Sequence, residues 1–392
     1  MFFLFSVYFK ILFCAMRKAD IFLTRNAKKT NFWYVSGIKI CLLTLIFLGV
    51  SEQNNAGASE TEQKLSRYEF HSVQMAVPIQ ITLYAENEEA ASEAAEAAFL
   101  RFHDLNARLS DYTAQSELRL FCDHAQKGEF RVVSRDLWNV LHESVRIAKI
   151  SDGAFDPTVG QVVRLWRRAR MHKKLPREAE ITKMLRTVGY ENILLDEKTR
   201  SVALSRQGIE RCVRIDLGGI AKGYAIDEAI RTVKTYGITR VLVDAGGDVG
   251  VGDPPPGEKG WRLAITPIKE GEKPRGFLVL ANCGVANSGD LAQFLEIGGV
   301  RYSHLVDPKT GVGLTHRVLV SVIAPSAMEA DALASAVSVL GEVKGKNLVE
   351  SLEGRETQIL LPDEQGQVQK VESSGWQKFI DENTCEDSVH KK

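Results

Sequence analysis

In the stretch "IDLGGIAKGYAID" (Ile215–Asp227), two glycines and a lysine stand between acidic residues just where an apolar rhythm begins. Ala225, Ala229, Ile230 and Val233 recur at helical spacing, which predicts a helix over 220–236 with Gly218 and Gly219 at its N-terminus. Unpaired backbone N–H groups and the positive dipole end at such a terminus favour an anion, and Lys222 in the first turn adds a point charge. A tight turn in which Lys222 pairs with Asp216 or Asp227 accounts for the same residues equally well. The two familiar nucleotide loops do not fit. The order Gly-Gly-Ile-Ala-Lys-Gly is not the Walker A pattern. "AGGDVGVGDPPPG" (Ala245–Gly257) has the wrong glycine spacing for a Rossmann turn, and three prolines stand where the helix should start.

Three other stretches carry chemistry of the same kind. "EADALASAV" (Glu329–Val337) reads as the start of a helix with Asp331 and Ser335 one turn apart on one face. A carboxylate and a hydroxyl are hard oxygen donors of the sort Mg²⁺ takes together with phosphate oxygens, although an acidic residue near a helix start is also ordinary dipole electrostatics. "YSHLVDPKTG" (Tyr302–Gly311) sets His304 beside a turn rich in Pro and Gly, where an imidazole can serve as a general base or simply bond the backbone. "SDGAFDPTVG" (Ser151–Gly160) puts Phe155 next to Asp156, a pairing that suits a flat heterocycle and that a helix C-cap explains as well.

The elements that must position these residues are mixed. "PIQITLYA" (Pro78–Ala85) reads as a strand leading into a long Ala- and Glu-rich helix over 87–110. A second helix runs over 134–151, N-capped by Ser134. "RVLVDAGGD", "WRLAIT" and "GFLVLANCGVANS" read as strands, and 357–371 as a hairpin. The Arg- and Lys-rich segment 164–185 reads as a helical excursion. Strands and helices do not alternate as βαβ units, so the expected class is mixed α+β, with largely antiparallel sheets and packed helices in one compact unit.

The whole chain, 392 residues with 50 Lys+Arg against 50 Asp+Glu, carries no formal net charge, which speaks against a nucleic-acid partner. Residues 1–58 stand apart. A basic stretch (Arg17–Lys29) precedes an apolar block (Ile38–Val50), and Ala56 and Ala58 form an A-x-A pattern before Ser59. This predicts an export signal, the alternative being an uncleaved membrane anchor. Cys41 lacks the small residues that precede a lipidated cysteine. Past the signal, Cys122, Cys212, Cys283 and Cys385 are scattered without a C-x-x-C, so buried free thiols are expected. Residues 59–381 form the predicted domain and 382–392 a polar tail.

Taken in order, "LSDYTAQSE", "DGAFDPTVG", "DLGGIAKGYAID", "DAGGD" and "HLVDPKTG" followed by "ADALAS" resemble the ApbE family, the FAD:protein FMN transferases, over roughly Tyr68–Phe379. The resemblance implies a T-fold-like domain that takes FAD as substrate, binds Mg²⁺, moves the FMN half onto a Ser or Thr of a partner protein and releases AMP. It further implies that Met75, Tyr112, the Ala154-Phe155-Asp156 turn, Asp216, Lys222 and Leu305 contact FAD. The carbonyl of Gly219, with Asp331 and Ser335, would hold Mg²⁺, and His304 would accept the hydroxyl proton. Two positions depart from the family pattern. Met75-Ala76-Val77 stands where the family has Met-Gly-Thr, and Ser335 where it often has Thr.

The expected partner is a redox protein outside the cytoplasm that bears a flavinylation Ser/Thr. The expected location is the periplasm or the periplasmic face of the inner membrane, with possible inner-membrane association. An FAD pyrophosphatase giving FMN and AMP, or a non-catalytic FAD-binding protein, are the alternatives, and nothing in the sequence separates water from a protein hydroxyl as acceptor.

Overall fold

The computed structural model describes residues 64–205, 213–267, 273–289, 294–363, 365 and 367–382. The predicted signal or anchor, residues 383–392 of the polar tail, Cys212 and Cys385 lie outside the described residues.

Ser66–Gln74 (β1) and Val77–Ala85 (β2) form an antiparallel hairpin in register from Ser66↔Ala85 to Gln74↔Val77. The two residues between them, Met75 and Ala76, both have positive φ, 49° and 62°. That is the twist a two-residue hairpin turn requires, and it is one that non-glycine residues adopt at a steric cost. Helix α1 (Glu88–Leu109) follows, its first turn closed by the Asn87 side chain accepting from the Ala90 N–H at 2.9 Å. Ala91, Ala94, Ala98, Phe102 and Leu105 recur every three or four residues and are buried against the sheet. Phe102 has no exposed surface, and truncating it to Ala would cost about 3–5 kcal/mol.

The next elements are α2 (Glu117–His124), β3 (Arg131–Val132) and α3 (Arg135–Ile150), the last N-capped by Ser134. The basic excursion folds as two helices, α4 (Gly160–His172) and α5 (Glu178–Leu185), separated by Lys173 in a left-handed cap and by Pro176. β4 (Ile193–Asp196) and β5 (Ser201–Leu204) pair with β3 in a small sheet. Helix α6 (Ala221–Lys234) leads to β6 (Val241–Ala245) and β7 (Asp248–Val251). β8 (Trp261–Ala264) and β9 (Phe277–Leu280) form a separate hairpin before β10 (Cys283–Gly289). β11 (Phe294–Ile297) and β12 (Val300–Ser303) make another hairpin. β13 (Leu319–Ala324), α7 (Ala327–Glu350), β14 (Glu356–Pro362) and β15 (Val368–Glu372) complete the domain.

The main sheet has the order β1-β2-β6-β7-β10-β13-β14-β15, and each neighbouring pair is antiparallel. Helices α1, α6 and α7 cover one face, burying Ile81 and Leu83 of β2, Val243 of β6 and Val320 and Val322 of β13. The β8–β9 hairpin and Trp376 cover part of the other face through Val249, Val251, Val285 and Ile323. The central strands β7 and β13 are buried along their whole length, polar Asp248 and Ser321 included, because both faces of the sheet are covered there. The mixed α+β, largely antiparallel architecture expected from the sequence is the one observed. All described residues belong to one contact unit, Glu62–Lys392. Among them Cys122 and Cys283 are free thiols, Cys122 buried and Cys283 half-buried.

Candidate active site

Each motif lies at the end of an element, and the fold draws those ends together. The 151–160 turn is built around Asp156. Its Oδ1 accepts from the Thr158 N–H (2.8 Å) and hydroxyl (2.6 Å), and its Oδ2 from the Tyr190 N–H (2.9 Å). Burial raises the Asp156 pKa against these bonds. Its carboxylate therefore shapes the turn, beside which Ala154 and Phe155 are buried.

This turn is stitched to the segment before α6. Gly160 N–H donates to Arg214 O (3.1 Å) and Asp216 N–H to Pro157 O (2.8 Å). Asp216 Oδ1 then accepts from the Gly218 N–H at 2.8 Å, setting the bend into the helix. Its Oδ2 accepts from Arg167 of α4 at 2.8 Å. Arg167 also pairs with Asp111 and stacks its guanidinium 4.0 Å from the Tyr112 ring centroid. Burial and the Asp111 charge raise the Asp216 pKa, with Arg167 opposing. Asp216 thus belongs to an Asp111–Arg167–Tyr112 cluster and makes no pair with Lys222.

Lys222 turns instead to β7. Its Nζ pairs with Asp248, whose other oxygen accepts from the Asn287 N–H at 3.0 Å. Burial opposes the charge on Lys222, but Asp331 and Asp248 outweigh it and hold the ammonium above the usual lysine range. The predicted alternative partners, Asp216 and Asp227, are both engaged elsewhere. Asp227 accepts from the Ala327 and Met328 N–H groups, both at 2.9 Å, and so caps α7 from α6.

Asp331 lies in the second turn of α7, where its Oδ2 accepts from the Gly223 N–H of α6 at 3.2 Å. It is buried, and desolvation raises its pKa, with Lys222 pulling it down and Asp248 pushing it up. Ser335, one turn on, faces Gly219, where an added Cβ would come within 2.7 Å of the Ser335 hydroxyl and 3.5 Å of the Phe155 ring. Only a glycine lets the backbone at 219 approach the hydroxyl this closely. Gly219 and Ser335 are thus in contact, with Asp331 one helical turn before Ser335. Among the described residues no group of three or more His, Cys, Asp or Glu side chains is placed to hold a metal. A set of one carboxylate, one hydroxyl and one backbone carbonyl suits Mg²⁺, which fills its remaining positions with water and substrate phosphate oxygens. The residues present fit that ion.

His304 and Leu305 lie just after β12, both half-buried. Their loop is held by Leu305 N–H donating to Ser303 Oγ (3.1 Å) and by Asp307, which accepts from the Lys309 N–H (2.8 Å). Trp166 Nε1 donates to Gly311 O at 2.8 Å, tying the loop to α4. Lys309 pairs with Asp152 at 2.5 Å, joining the loop to the 151–160 turn. Met75 packs on the main core at the β1–β2 turn, where Pro78 O accepts from the Gly246 N–H (3.0 Å) at the "DAGGD" bend. Sequence reasoning gave no role to Arg167, Asp111 or Asp248. Asp248 stood in a quoted motif, whereas Arg167 was one of several arginines in a basic run and nothing local singled it out.

The sequence model of the ApbE family matches residues 75–360, which span all of these motifs. The chain belongs to the ApbE family. The FAD:protein FMN transferase of Haemophilus influenzae is 33% identical over 252 residues, covering 63% of this chain and 72% of that protein. The FAD:protein FMN transferase of Escherichia coli K12 is 31% identical over 251 residues, covering 62% and 69%. Among solved structures, the ApbE protein of Thermotoga maritima superposes with a TM-score of 0.71 at 29% identity, covering 81% of this chain and 100% of that one. The flavin transferase ApbE of Vibrio cholerae superposes at 0.69 and 25% identity, covering 81% and 100%. In this ApbE-family chain, Ala76, where the resemblance leads us to expect glycine, lies in the left-handed region.

Proposed function

We propose that this chain is an FAD:protein FMN transferase. It transfers the FMN moiety of FAD to a Ser or Thr hydroxyl of a redox protein outside the cytoplasm and releases AMP. The observation that carries this is the meeting of α6 and α7. There Lys222, Asp248, Asp331, Ser335 and the Gly219 backbone gather charge and hard oxygen donors at one helix start. In the reaction the acceptor oxygen forms a bond to the phosphorus of the FMN half, the bond from that phosphorus to the AMP oxygen breaks, and AMP departs. Bound Mg²⁺ would neutralise charge on the phosphate oxygens.

The chain's own groups do the rest. Asp331, Ser335 and the Gly219 carbonyl would hold the ion, and the Lys222 ammonium would add a second positive charge. His304 is the base that takes the hydroxyl proton. The backbone of the 154–156 turn, Phe155, Met75, Tyr112 and Leu305 would contact the flavin nucleotide, with Asp216 and Arg167 fixing the Tyr112 side of the cleft. The basic stretch Arg17–Lys29, the apolar block Ile38–Val50 and the A-x-A pattern before Ser59 support export, with the reaction in the periplasm or on the periplasmic face of the inner membrane. Among the described residues no helix is long and apolar enough to cross a membrane.

The test incubates the chain with FAD, Mg²⁺ and an acceptor domain bearing a single candidate Thr, followed by a denaturing gel. A fluorescent acceptor band with stoichiometric AMP supports transfer. AMP without a labelled acceptor would make the protein an FAD pyrophosphatase, and intact bound FAD would make it a flavin carrier.

A further inference from the structure

A cavity of about 1090 Å³ lies beside the Tyr112–Arg167 stack, between α4 and α5. Arg164, Arg168 and Met171 stand on one face of α4 at helical spacing, with Arg170 beside them, and Arg177 and Lys183 line the α5 side. Acidic side chains in the lining are few. Asp111 is committed to Arg167, and Glu180 to Arg177 at 3.2 Å. No hydrogen bond or ion pair within the described protein engages the guanidinium groups of Arg164, Arg168 or Arg170. Burial and repulsion from Arg214, Arg119 and Arg168 lower the pKa of Arg164, and behind it Arg119 Nε and Arg214 Nε and Nη1 are buried donors with no partner. Such crowding of like charge is unfavourable and is relieved by an anionic occupant.

The groove also exposes two large side chains, Tyr112 (75% exposed) and Met171 (77% exposed). From Arg164 to Met171 the helix rises by about 10 Å, longer than a single phosphate. In a chain whose formal net charge is zero, seven Arg and Lys side chains line this groove against two carboxylates, along a concave strip with apolar points.

We propose that this groove is the docking cleft for an acidic, extended segment of the acceptor polypeptide. Its carboxylates meet Arg164, Arg168 and Lys183, its apolar side chains meet Met171 and Tyr112, and the acceptor hydroxyl is delivered past Arg167 to the transfer site. The inference rests on the transferase reading for the identity of the occupant, while peptide binding is measured without turnover, so the two can fail separately.

The experiment uses the full chain and two fluorescein-labelled 15-residue peptides, one with Asp and Glu flanking a central Thr, the other with Asn and Gln in their place. Fluorescence anisotropy should show the acidic peptide binding at least tenfold tighter, and losing that advantage between 50 and 300 mM salt. Arg164→Glu/Arg168→Glu and, separately, Lys183→Glu should each weaken acidic-peptide binding at least tenfold, with FAD affinity unchanged by fluorescence quenching. Equal binding of the two peptides, or variants that hold the acidic peptide as well as the parent, would overturn the proposal. So would a matching loss of FAD affinity, which would give the groove to the nucleotide, or a loss confined to phosphatidylglycerol vesicles, which would give it to the membrane. FMN transfer to a protein acceptor, scored separately on a denaturing gel, reports on the transferase reading alone.

Discussion

Asp331 has the opposite of a stabilising environment, and its consequences can be measured. Burial disfavours its ionised form, the Gly223 N–H is its one backbone donor among the described residues, and Asp248 competes for the same lysine. Asp331→Asn removes that penalty at nearly constant volume, so the folded state should hold or gain stability, by up to about 1–2 kcal/mol in urea titrations. The same change should abolish Mg²⁺-dependent FMN transfer, and full turnover in the variant would remove Asp331 from the metal site. Asp248→Asn is the contrasting case. It leaves the Lys222 ammonium beside Asp331 without its direct partner, with an expected loss of about 3 kcal/mol. An unchanged urea midpoint would show that the pair contributes nothing. Lys222, Asp216, Asp248 and Asp331 stood in the motif strings, Arg167 did not, and none of their pairings was legible there. Lys222 meets a carboxylate on a strand 26 residues away, and Asp216 an arginine 49 residues away. Only the tertiary arrangement selects among the equally plausible neighbours.

At the level of single elements, caps and turns were readable because their signals are local. Ser134 caps its helix as expected, the long helix begins after Asn87, where its expected range starts, and the 357–371 segment forms the hairpin of β14 and β15. The β1–β2 turn holds a less favourable residue. Ala76 sits at φ 62°, where a Cβ is strained and glycine is not. Ala76→Gly should raise stability by about 1 kcal/mol in a urea titration, and a loss instead would mean that the turn tolerates the Cβ without strain.

The helix contact between α6 and α7 carries a pH signature. Burial raises Asp227 from 3.8 to about 6, against donation by the Met328 and Ala327 amides. The folded state therefore holds this proton more tightly than the unfolded chain does. The associated stability is complete below about pH 4 and declines as pH rises toward about 6, by at most about 3 kcal/mol. Asp227→Asn removes that slope. The parent's stability minus the variant's, from urea midpoints at pH 4.5 and pH 7, should shift in the variant's favour at the higher pH, and a pH-independent difference would contradict the assignment.

Across the whole molecule, three helices that the sequence shows only as separate segments are fastened by one guanidinium. Arg101 of α1 donates to Asp136 of α3 at 3.0 Å and to Glu228 of α6 at 3.1 Å, and Tyr224 adds its hydroxyl to Asp136 at 2.8 Å. Arg101→Leu leaves two mostly buried carboxylates facing each other without their cation and should cost about 3–5 kcal/mol in equilibrium unfolding, while FAD affinity per folded molecule is preserved. A drop in FAD affinity at full folding would instead extend the binding site to this network.

Gly223 is neither a ligand nor a base. A side chain there would collide with the Ala327 carbonyl and wedge α6 from α7, where the Gly223 amide grips Asp331. The spacing between Lys222 and Asp331 is thus set by a missing methyl group. In a deep mutational scan read out by flavin transfer, position 223 should score as intolerant as the charged positions on either side, with even alanine depleted. A catalogue of intolerant positions alone would then enrol this glycine among the chemical groups, although its contribution is clearance.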